Sequence, residues 1–179
     1  MYYSTTFASP VGRLTLASDG ESLTGLWIEG QKYHGSTIFG DMPEKVGLPV
    51  FHAAKSWLKR YFSGERAESS ELPLAPAGSD FRKSVWEMLC RIPCGEVTTY
   101  GEIAGRTAEL SGRKSMSAQA VGGAVGHNPI SIIIPCHRVI GTDGSLTGYA
   151  GGIEVKLKLL ELEGVDISRL YVPRRGAAL

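Results

Sequence analysis

Residues 99–126 read TYGEIAGRTAELSGRKSMSAQAVGGAVG and carry the clearest structural signal in the chain. Thr99 and Glu102 match a capping box, in which each side chain accepts a hydrogen bond from the other residue's backbone N–H. Ser117 can cap a second helix, because its hydroxyl accepts a bond from the free N–H groups of a first turn. Three short helices, of which these are the last two, followed by strand-like segments and a loop, indicate a helix-turn-helix variant. The predicted helices span residues 100–110 and 118–126.

The second half of the chain contains further helix and strand signals around this pair. Apolar residues from Phe81 to Ile92 recur with helical spacing, and Pro93 ends the pattern. Residues 132–134 are all isoleucine and predict a short buried strand. The remaining predictions are a glycine-rich loop over 141–152 and a last helix over 154–163.

The first half of the chain has a pattern typical of a small sheet with one helix. Three short runs rich in β-branched and aromatic residues are separated by turn sequences that contain Pro or Gly. An apolar stripe from Val50 to Phe62 predicts an amphipathic helix. Residues 67–79 are rich in Pro, Ser and Ala and predict a linker, so we expect one domain over 1–75 and another over 76–179. The predicted strands cover residues 3–7, 14–17 and 23–28.

The composition excludes several classes of protein. The chain has 179 residues, of which 42% are hydrophobic, and its mean hydropathy is −0.04, so it can bury a core. No apolar run approaches the roughly 20 residues of a membrane-spanning helix, and the first residues lack the pattern of a secretion signal. Nineteen basic and eighteen acidic residues give a net charge of +1, which alone predicts no polyanion partner. We expect a cytoplasmic protein without a membrane partner.

The three cysteines, Cys90, Cys94 and Cys136, argue against a disulfide framework because their number is odd. No second Cys or His pair stands at zinc-ligand spacing, so no metal site is predicted. From composition alone, Cys136 is interpreted as a small buried hydrophobic residue. As a nucleophile it would need a proton acceptor nearby. His137 is adjacent, but neighbours on an extended strand point to opposite faces, so contact requires a turn or a bridging water.

The motif Pro135-Cys136-His137-Arg138-Val139, with Asn128-Pro129 before it and GYAGG at 148–152 after it, resembles the O6-alkylguanine-DNA alkyltransferases, also called methylated-DNA–protein-cysteine methyltransferases. The resemblance is strongest over residues 81–164, and the length is similar to that of the single-function bacterial type. It implies an α+β or α/β fold, with a small ribonuclease-H-like domain of β-meander and helix, then a winged helix-turn-helix-like domain. The implied activity is DNA repair by direct reversal.

The resemblance implies a role for each residue of that reaction. Cys136 is the nucleophile, which keeps an alkyl group from O6 of guanine, or from O4 of thymine, and thereby inactivates the protein. His137 takes the thiol proton through a water, and Glu163 orients the imidazole. Tyr100 reaches guanine N3, and Asn128 is the hinge that braces the site. No cofactor or metal is implied.

The resemblance also implies that backbone groups recognise the flipped base. These groups are the carbonyls of Cys136 and Val139 and the amide of Ala150, beside the loop residues Tyr149 and Gly151. Glycines in such a loop let the backbone approach a base closely. Turning a base out of a duplex costs a few kcal/mol, so the protein must stabilise the flipped state.

The helix over 118–126 is implied to enter the minor groove of double-stranded DNA, where its small side chains allow close contact. Many members carry an arginine before Ala-Val-Gly that fills the place of the flipped base. Gln119 stands there in this chain; it is shorter and neutral, yet it can hydrogen-bond to the orphaned cytosine. Without that cation we expect weaker attraction to DNA. The candidate DNA contacts are Gln119, Ala120, Gly122, Gly123, Arg113, Lys114 and Arg138.

Two alternatives to the alkyltransferase stay open. A DNA-binding module that recognises alkylated bases without transfer is one, although that form of the family replaces the nucleophilic cysteine. A thiol hydrolase is the other, and it needs His34, His52 or His127 bonded directly to Cys136. A second turnover would favour the hydrolase, and inert binding would favour the module. We expect a monomer.

Overall fold

The computed structural model describes residues 1–173, and their N-terminal part is a three-stranded antiparallel sheet with a helix against it. The strands β1 (Tyr3–Ser9), β2 (Gly12–Ser18) and β3 (Leu23–Ile28) are neighbours in chain order. Helix α1 (Pro49–Phe62) has proline at its first position, where the missing N–H costs nothing, and it buries its apolar stripe. The predicted meander and helix are confirmed.

Strand β3 joins the two halves of the chain. One of its edges pairs with β2, and on the other edge the N–H of Leu26 donates to the Pro129 carbonyl at 2.9 Å. The carbonyl of Leu26 accepts from the N–H of Ser131, also at 2.9 Å. Every residue of β3 is buried, because α1 and the second half of the chain both pack around it.

The predicted linker, residues 67–79, is docked on the same edge of β3. The N–H of Leu23 donates to the Pro73 carbonyl at 2.8 Å, and the N–H of Ala75 donates back to the Leu23 carbonyl at 2.9 Å. A 3-10 turn, Ser69–Glu71, precedes this pairing. The division into domains 1–75 and 76–179 stays a prediction, and positions 174–179 of the second one lie outside the described residues.

The helices of the second half begin where their capping residues predict. Thr99 and Glu102 make both bonds of the capping box, and the Ser117 hydroxyl accepts from the N–H of Ala120 at 3.0 Å. A short parallel pair of strands holds the segment before the first of these helices against the segment that follows Cys136. The elements are α2 (Asp80–Leu89), β4 (Thr98–Thr99), α3 (Tyr100–Leu110), α4 (Ala118–Gly126), β5 (Val139–Ile140) and α5 (Ile153–Leu162).

The strand predicted over 132–134 is wrong, because these isoleucines lie in a buried turn. Ile132 has a φ of +72°, which is uncommon for a β-branched residue, and the N–H of Ile134 donates to the Ile130 carbonyl at 3.0 Å. The apolar run correctly indicated burial, since all three side chains are covered. Its conformation is set instead by the side chain of Asn128, which bonds to this turn.

One hydrophobic core runs through both halves of the described chain. It extends from Leu16 in the sheet through Phe51 on α1 to Val85 on α2 and Val121 on α4, and it includes Cys136. None of the helices within residues 1–173 has the length and apolar character needed to cross a bilayer.

Candidate active site

Cys136 lies in a 3-10 turn, Cys136–Arg138, that connects the buried isoleucine turn to β5. The chain therefore turns at the motif, which is one of the two conditions under which contact between Cys136 and His137 was expected. The thiol is buried, with 4% of the residue exposed. Asn128 Nδ2 lies 3.0 Å from Cys136 Sγ and donates to it, which favours negative charge on sulfur.

Asn128 holds this turn from the C-terminal end of α4. Its Nδ2 also donates to the Ile134 carbonyl at 2.8 Å, and its Oδ1 accepts from the N–H of Ile130 at 3.0 Å. One buried amide thus ties the end of the predicted DNA-binding helix to the sulfur and to the backbone around it. This position matches the bracing role that the sequence resemblance implied.

His137 and Glu163 form a buried pair beside the cysteine. His137 Nε2 lies 2.6 Å from Glu163 Oε1, although the two residues are 26 positions apart. Because an ionised carboxylate only accepts, Nε2 carries the proton of the neutral ring and Nδ1 carries the lone pair. Nδ1 is buried and has no hydrogen-bond partner among the described residues. It is thus the ring atom that can accept a proton.

Glu163 is surrounded by donors. Arg138 donates from Nε to Oε2 at 2.8 Å and from Nη2 to Oε1 at 3.0 Å, and the Tyr61 hydroxyl donates to Oε1 at 2.7 Å. Burial favours the protonated acid, but the hydrogen bonds from His137 and Arg138, together with the Arg138 charge, outweigh it and hold the pKa of Glu163 well below its ordinary value. The carboxylate is therefore ionised.

Arg138 was predicted to contact a DNA phosphate, and the structure contradicts this. Its guanidinium is buried against Glu163, and Nη1 donates to the Ile92 carbonyl at 2.5 Å. A buried carboxylate needs a compensating cation, and this arginine supplies it. It is therefore not free to reach a phosphate.

The thiol and the imidazole are both neutral in the resting site. Burial raises the pKa of Cys136 to about 11, against the opposing influence of the Asn128 hydrogen bond and the Lys156 charge. Burial also lowers the pKa of His137, and the Glu163 carboxylate only partly offsets that effect. The site therefore contains a protonated thiol and a ring nitrogen that can accept a proton. The reaction requires the thiol to lose its proton.

Lys156 is a site residue that the sequence analysis missed. It is fully buried on α5, and Nζ donates to the carbonyls of Val139 at 2.5 Å and Thr147 at 2.9 Å. Burial lowers its pKa to about 8. The available signal was a lysine within the apolar stretch VKLKLL of the last helix. It fixes the Val139 carbonyl, one of the predicted base-reading groups.

Tyr100 packs in the same hydrophobic core as Cys136 and is bonded to the loop over 141–152. The Tyr100 hydroxyl donates to the Thr147 carbonyl at 3.0 Å, and burial raises its pKa, so it stays protonated. Gly148 has a φ of +72°, and a Cβ there would lie 2.8 Å from the Tyr100 hydroxyl oxygen. Tyr149 is buried, and its hydroxyl has no hydrogen-bond partner in residues 1–173. The Ala150 carbonyl accepts from the N–H of Lys32 at 3.1 Å.

The other predicted DNA contacts lie on or next to α4. Gln119, Ala120 and Gly123 are exposed on this helix, and Arg113 and Lys114 are exposed in the turn before it. Gly122 packs towards the ring of Tyr100, where a Cβ would lie 3.8 Å from the nearest ring atom. This face can therefore approach a partner closely, with two cations at its edge.

The remaining histidines have other surroundings. His127 bonds to the Gly123 carbonyl and stacks on Tyr33, His34 lies beside the Trp27 ring, and His52 is exposed on α1. Their positions give no support to the thiol hydrolase. Within the part of the chain described, no group of three or more His, Cys, Asp or Glu residues is arranged to hold a metal ion.

Comparison with known proteins gives the same family for both halves. Residues 1–76 match the ribonuclease-like domain of 6-O-methylguanine DNA methyltransferase, and residues 80–165 match its DNA binding domain. The methylated-DNA–protein-cysteine methyltransferase of Haemophilus influenzae is 45% identical over 163 residues, which cover 91% of this chain and 87% of the relative. A Methanosarcina barkeri relative of the same name is 48% identical over 164 residues, which cover 91% of this chain and 97% of the relative.

Solved structures agree with these relatives. Mycobacterium tuberculosis O6-methylguanine methyltransferase superposes with a TM-score of 0.76 at 45% identity, over 91% of this chain and 93% of that one. A crystal structure of Mycobacterium tuberculosis OGT in complex with DNA superposes with a TM-score of 0.76 at 44% identity, over 94% of each chain. The predicted fold class, a ribonuclease-like domain followed by a DNA-binding domain, is confirmed.

Proposed function

The chain belongs to the 6-O-methylguanine DNA methyltransferase family, and from this premise we propose that it repairs DNA by moving an alkyl group from O6 of guanine to Sγ of its own Cys136. The observation that carries the assignment is the buried thiol, which accepts a hydrogen bond from Asn128 and stands next to the His137–Glu163 pair. The protein acts once, because the thioether it forms is stable.

The reaction balances within these groups. The thiol proton passes through a water to Nδ1 of His137, whose imidazolium is then stabilised by the ionised Glu163. Sulfur forms a bond to the alkyl carbon as the bond from that carbon to O6 breaks. The electron pair of the broken bond stays on the guanine, where a proton donor must stabilise it. Tyr100 supplies that donor when its hydroxyl turns from Thr147 to guanine N3.

Backbone groups hold the base in this proposal. The carbonyls of Cys136 and Val139 and the amide of Ala150 bind its polar edge, with Tyr149 covering the pocket. Gly151 supports this assignment, because a Cβ there would lie 2.7 Å from the Tyr149 ring and 2.9 Å from Ile28. The same pocket takes O4-alkylthymine, which presents an alkylated oxygen in a similar position.

The protein is proposed to bind double-stranded DNA as a monomer, with α4 in the minor groove. Gly122 and Gly123 permit close approach, Ala120 contacts the groove wall, and Gln119 occupies the space that the flipped base leaves. Arg113 and Lys114 bind phosphates. Such a protein acts in the cytoplasm, where reducing conditions keep Cys136 as a thiol.

The test is a peptide mass map after incubation with a duplex that carries one O6-methylguanine. We expect one added methyl group on the peptide containing Cys136, saturating at one per protein molecule. Cys136→Ala should lose transfer and retain DNA binding, whereas the matched control Cys90→Ala should transfer normally. Methylation of Cys136→Ala would refute the assignment of the nucleophile. Binding without a mass gain would indicate a lesion-binding module, and repeated turnover would indicate a hydrolase.

A further inference from the structure

Tyr61 brings a side chain from the N-terminal layer into the site. It lies in the last turn of α1 and is 2% exposed. Its hydroxyl donates to Glu163 Oε1 at 2.7 Å and lies 3.4 Å from His137 Nε2. The two hydrogen-bonded residues are 102 positions apart, so this contact exists only because α1 packs against the C-terminal half.

The Tyr61 hydroxyl is held in a fixed position, and towards Glu163 it serves only as a hydrogen-bond donor. The Tyr61 ring is stacked on Trp57 at a centroid distance of 5.3 Å and meets the edge of Phe62 at 5.2 Å. Burial, and then the charge of Glu163, raise the pKa of Tyr61 well above its ordinary value. The phenol therefore stays protonated and donates to the carboxylate throughout the working pH range.

We propose that Tyr61 is a positioning residue for alkyl transfer, whose hydroxyl fixes Glu163 so that Nε2–H of His137 points at the carboxylate and Nδ1 faces the thiol. The proposal rests on the function proposed above and extends it to the N-terminal layer. It gives that layer a specific part in the chemistry besides packing, because the active site lacks one donor to Glu163 without it.

Removal of the hydroxyl has a predictable electrostatic effect. Oε1 would lose one of its three side-chain donors, so more negative charge would remain opposite Nε2. His137 would then accept a proton at higher pH, and the protonated ring cannot take the thiol proton. The other titratable or charged groups near the pair are unchanged by the substitution: Cys136 and Arg138 on the same turn, Tyr149 in the loop, Lys156 on α5, and Cys94 after α2.

The experiment measures the single-turnover rate of methyl transfer from methylated duplex DNA as a function of pH. Tyr61→Phe keeps the ring and removes the hydroxyl. We expect the rate at the optimum to fall about ten- to hundredfold, the loss typical of one hydrogen bond to a charged group. We also expect the acid limb of the profile to move to higher pH.

Thr5→Val is the matched control, because it removes another buried hydroxyl. This hydroxyl accepts a hydrogen bond at 2.8 Å from Lys55, which lies on α1 like Tyr61. The substitution should lower stability comparably and leave the acid limb in place. An unshifted limb in folded Tyr61→Phe, or an equal loss of rate in Thr5→Val, would overturn the proposal. If the unsubstituted protein itself transfers no methyl group, the proposed function fails instead.

A second measurement covers the case in which Tyr61→Phe does not fold. In the unsubstituted protein, an NMR titration should show a slowly exchanging Tyr61 hydroxyl proton whose shift changes in step with protonation of His137. A hydroxyl proton that exchanges rapidly, or that does not respond to His137, would equally overturn the proposal.

Discussion

Glu163 lies at the C-terminal end of α5, where the helix dipole disfavours a negative charge. The site compensates with a buried arginine, a phenol and an imidazole N–H, all bonded to the carboxylate. Each of these donors depends on the carboxylate in turn, since Arg138 would otherwise be a buried cation without a partner. Glu163 therefore contributes to the stability of the protein as well as to the proposed reaction.

Glu163→Gln should accordingly lower the free energy of unfolding by about 3 kcal/mol, because it leaves the Arg138 charge uncompensated. Urea denaturation at neutral pH measures the loss. The control is the reverse substitution at an exposed position, Gln119→Glu, which should have little effect on stability. A loss below about 0.5 kcal/mol for Glu163→Gln would contradict the prediction.

The His137–Glu163 pair predicts how the stability of the protein depends on pH. The folded pKa of Glu163 is depressed, so its contribution is present above the ordinary glutamate pKa of about 4.5 and is lost as the pH falls further. The folded pKa of His137 is also depressed, so the unfolded chain gains a proton first, below about pH 6.5. Unfolding free energy should fall in both ranges on acidification. Glu163→Gln should reduce the dependence of the unfolding free energy on pH below about pH 4.5. An unchanged dependence in that range would contradict its assignment to Glu163.

How far the sequence predicted this site depends on the distance between its residues along the chain. Cys136, His137 and Asn128 lie within one short motif, and the structure brings them together as the resemblance implied. Arg138 was assigned to the surface, because nothing near it in sequence shows the carboxylate 25 positions later that buries it. Tyr61 gave no signal, since its aromatic ring fits equally well in an ordinary amphipathic helix.

Helix α4 shows a conflict between helix stability and close contact. Three of its nine residues are glycines, at 122, 123 and 126, although glycine inside a helix costs roughly 0.5–1 kcal/mol relative to alanine. A Cβ at Gly123 would meet nothing within 4 Å, so packing inside the protein does not require glycine there. We propose that close approach to DNA is the reason for it.

Gly123→Ala should therefore raise the free energy of unfolding by roughly 0.5–1 kcal/mol while weakening binding to duplex DNA. Urea denaturation and a fluorescence titration with labelled duplex measure the two effects. Gly105→Ala on α3 is the matched control, because that exposed helical glycine also has open space around it. It should stabilise the protein equally and leave binding unchanged. Full affinity in Gly123→Ala would remove Gly123 from the proposed DNA interface.

At the scale of elements, the sequence predicted best what local interactions determine. The bounds of α3 and α4 follow from side chains bonding to backbone three residues away, so Thr99 and Ser117 revealed them. The isoleucines at 132–134 were correctly expected to be buried, but their turn depends on Asn128 and on pairing with β3. Such contacts between distant segments leave no periodic pattern in the sequence.

In the whole molecule, the N-terminal layer and the C-terminal half share one hydrophobic core and one sheet edge. Leu26 pairs with the segment at 129–131, Lys32 bonds to the active-site loop at Ala150, and Tyr61 bonds to Glu163. These three links hold the isoleucine turn, the loop and the buried carboxylate. The described chain should therefore unfold as one cooperative unit, despite the match of its two halves to separate domains of the family.

Gln31 offers a test of this cooperativity, since its buried side chain bridges the two halves. Its Oε1 accepts from the N–H of Ile28 at 2.8 Å and from the Ser131 hydroxyl at 3.0 Å. Gln31→Ala leaves both donors unsatisfied and should lower the unfolding free energy by about 1–3 kcal/mol. Urea transitions followed through Trp57 in one half and Trp86 in the other should shift together, because neither half can lose the shared edge alone. Gln119→Ala, on an exposed surface, should shift neither. Separation of the two transitions in Gln31→Ala would show that the halves fold independently and that β3 only docks them.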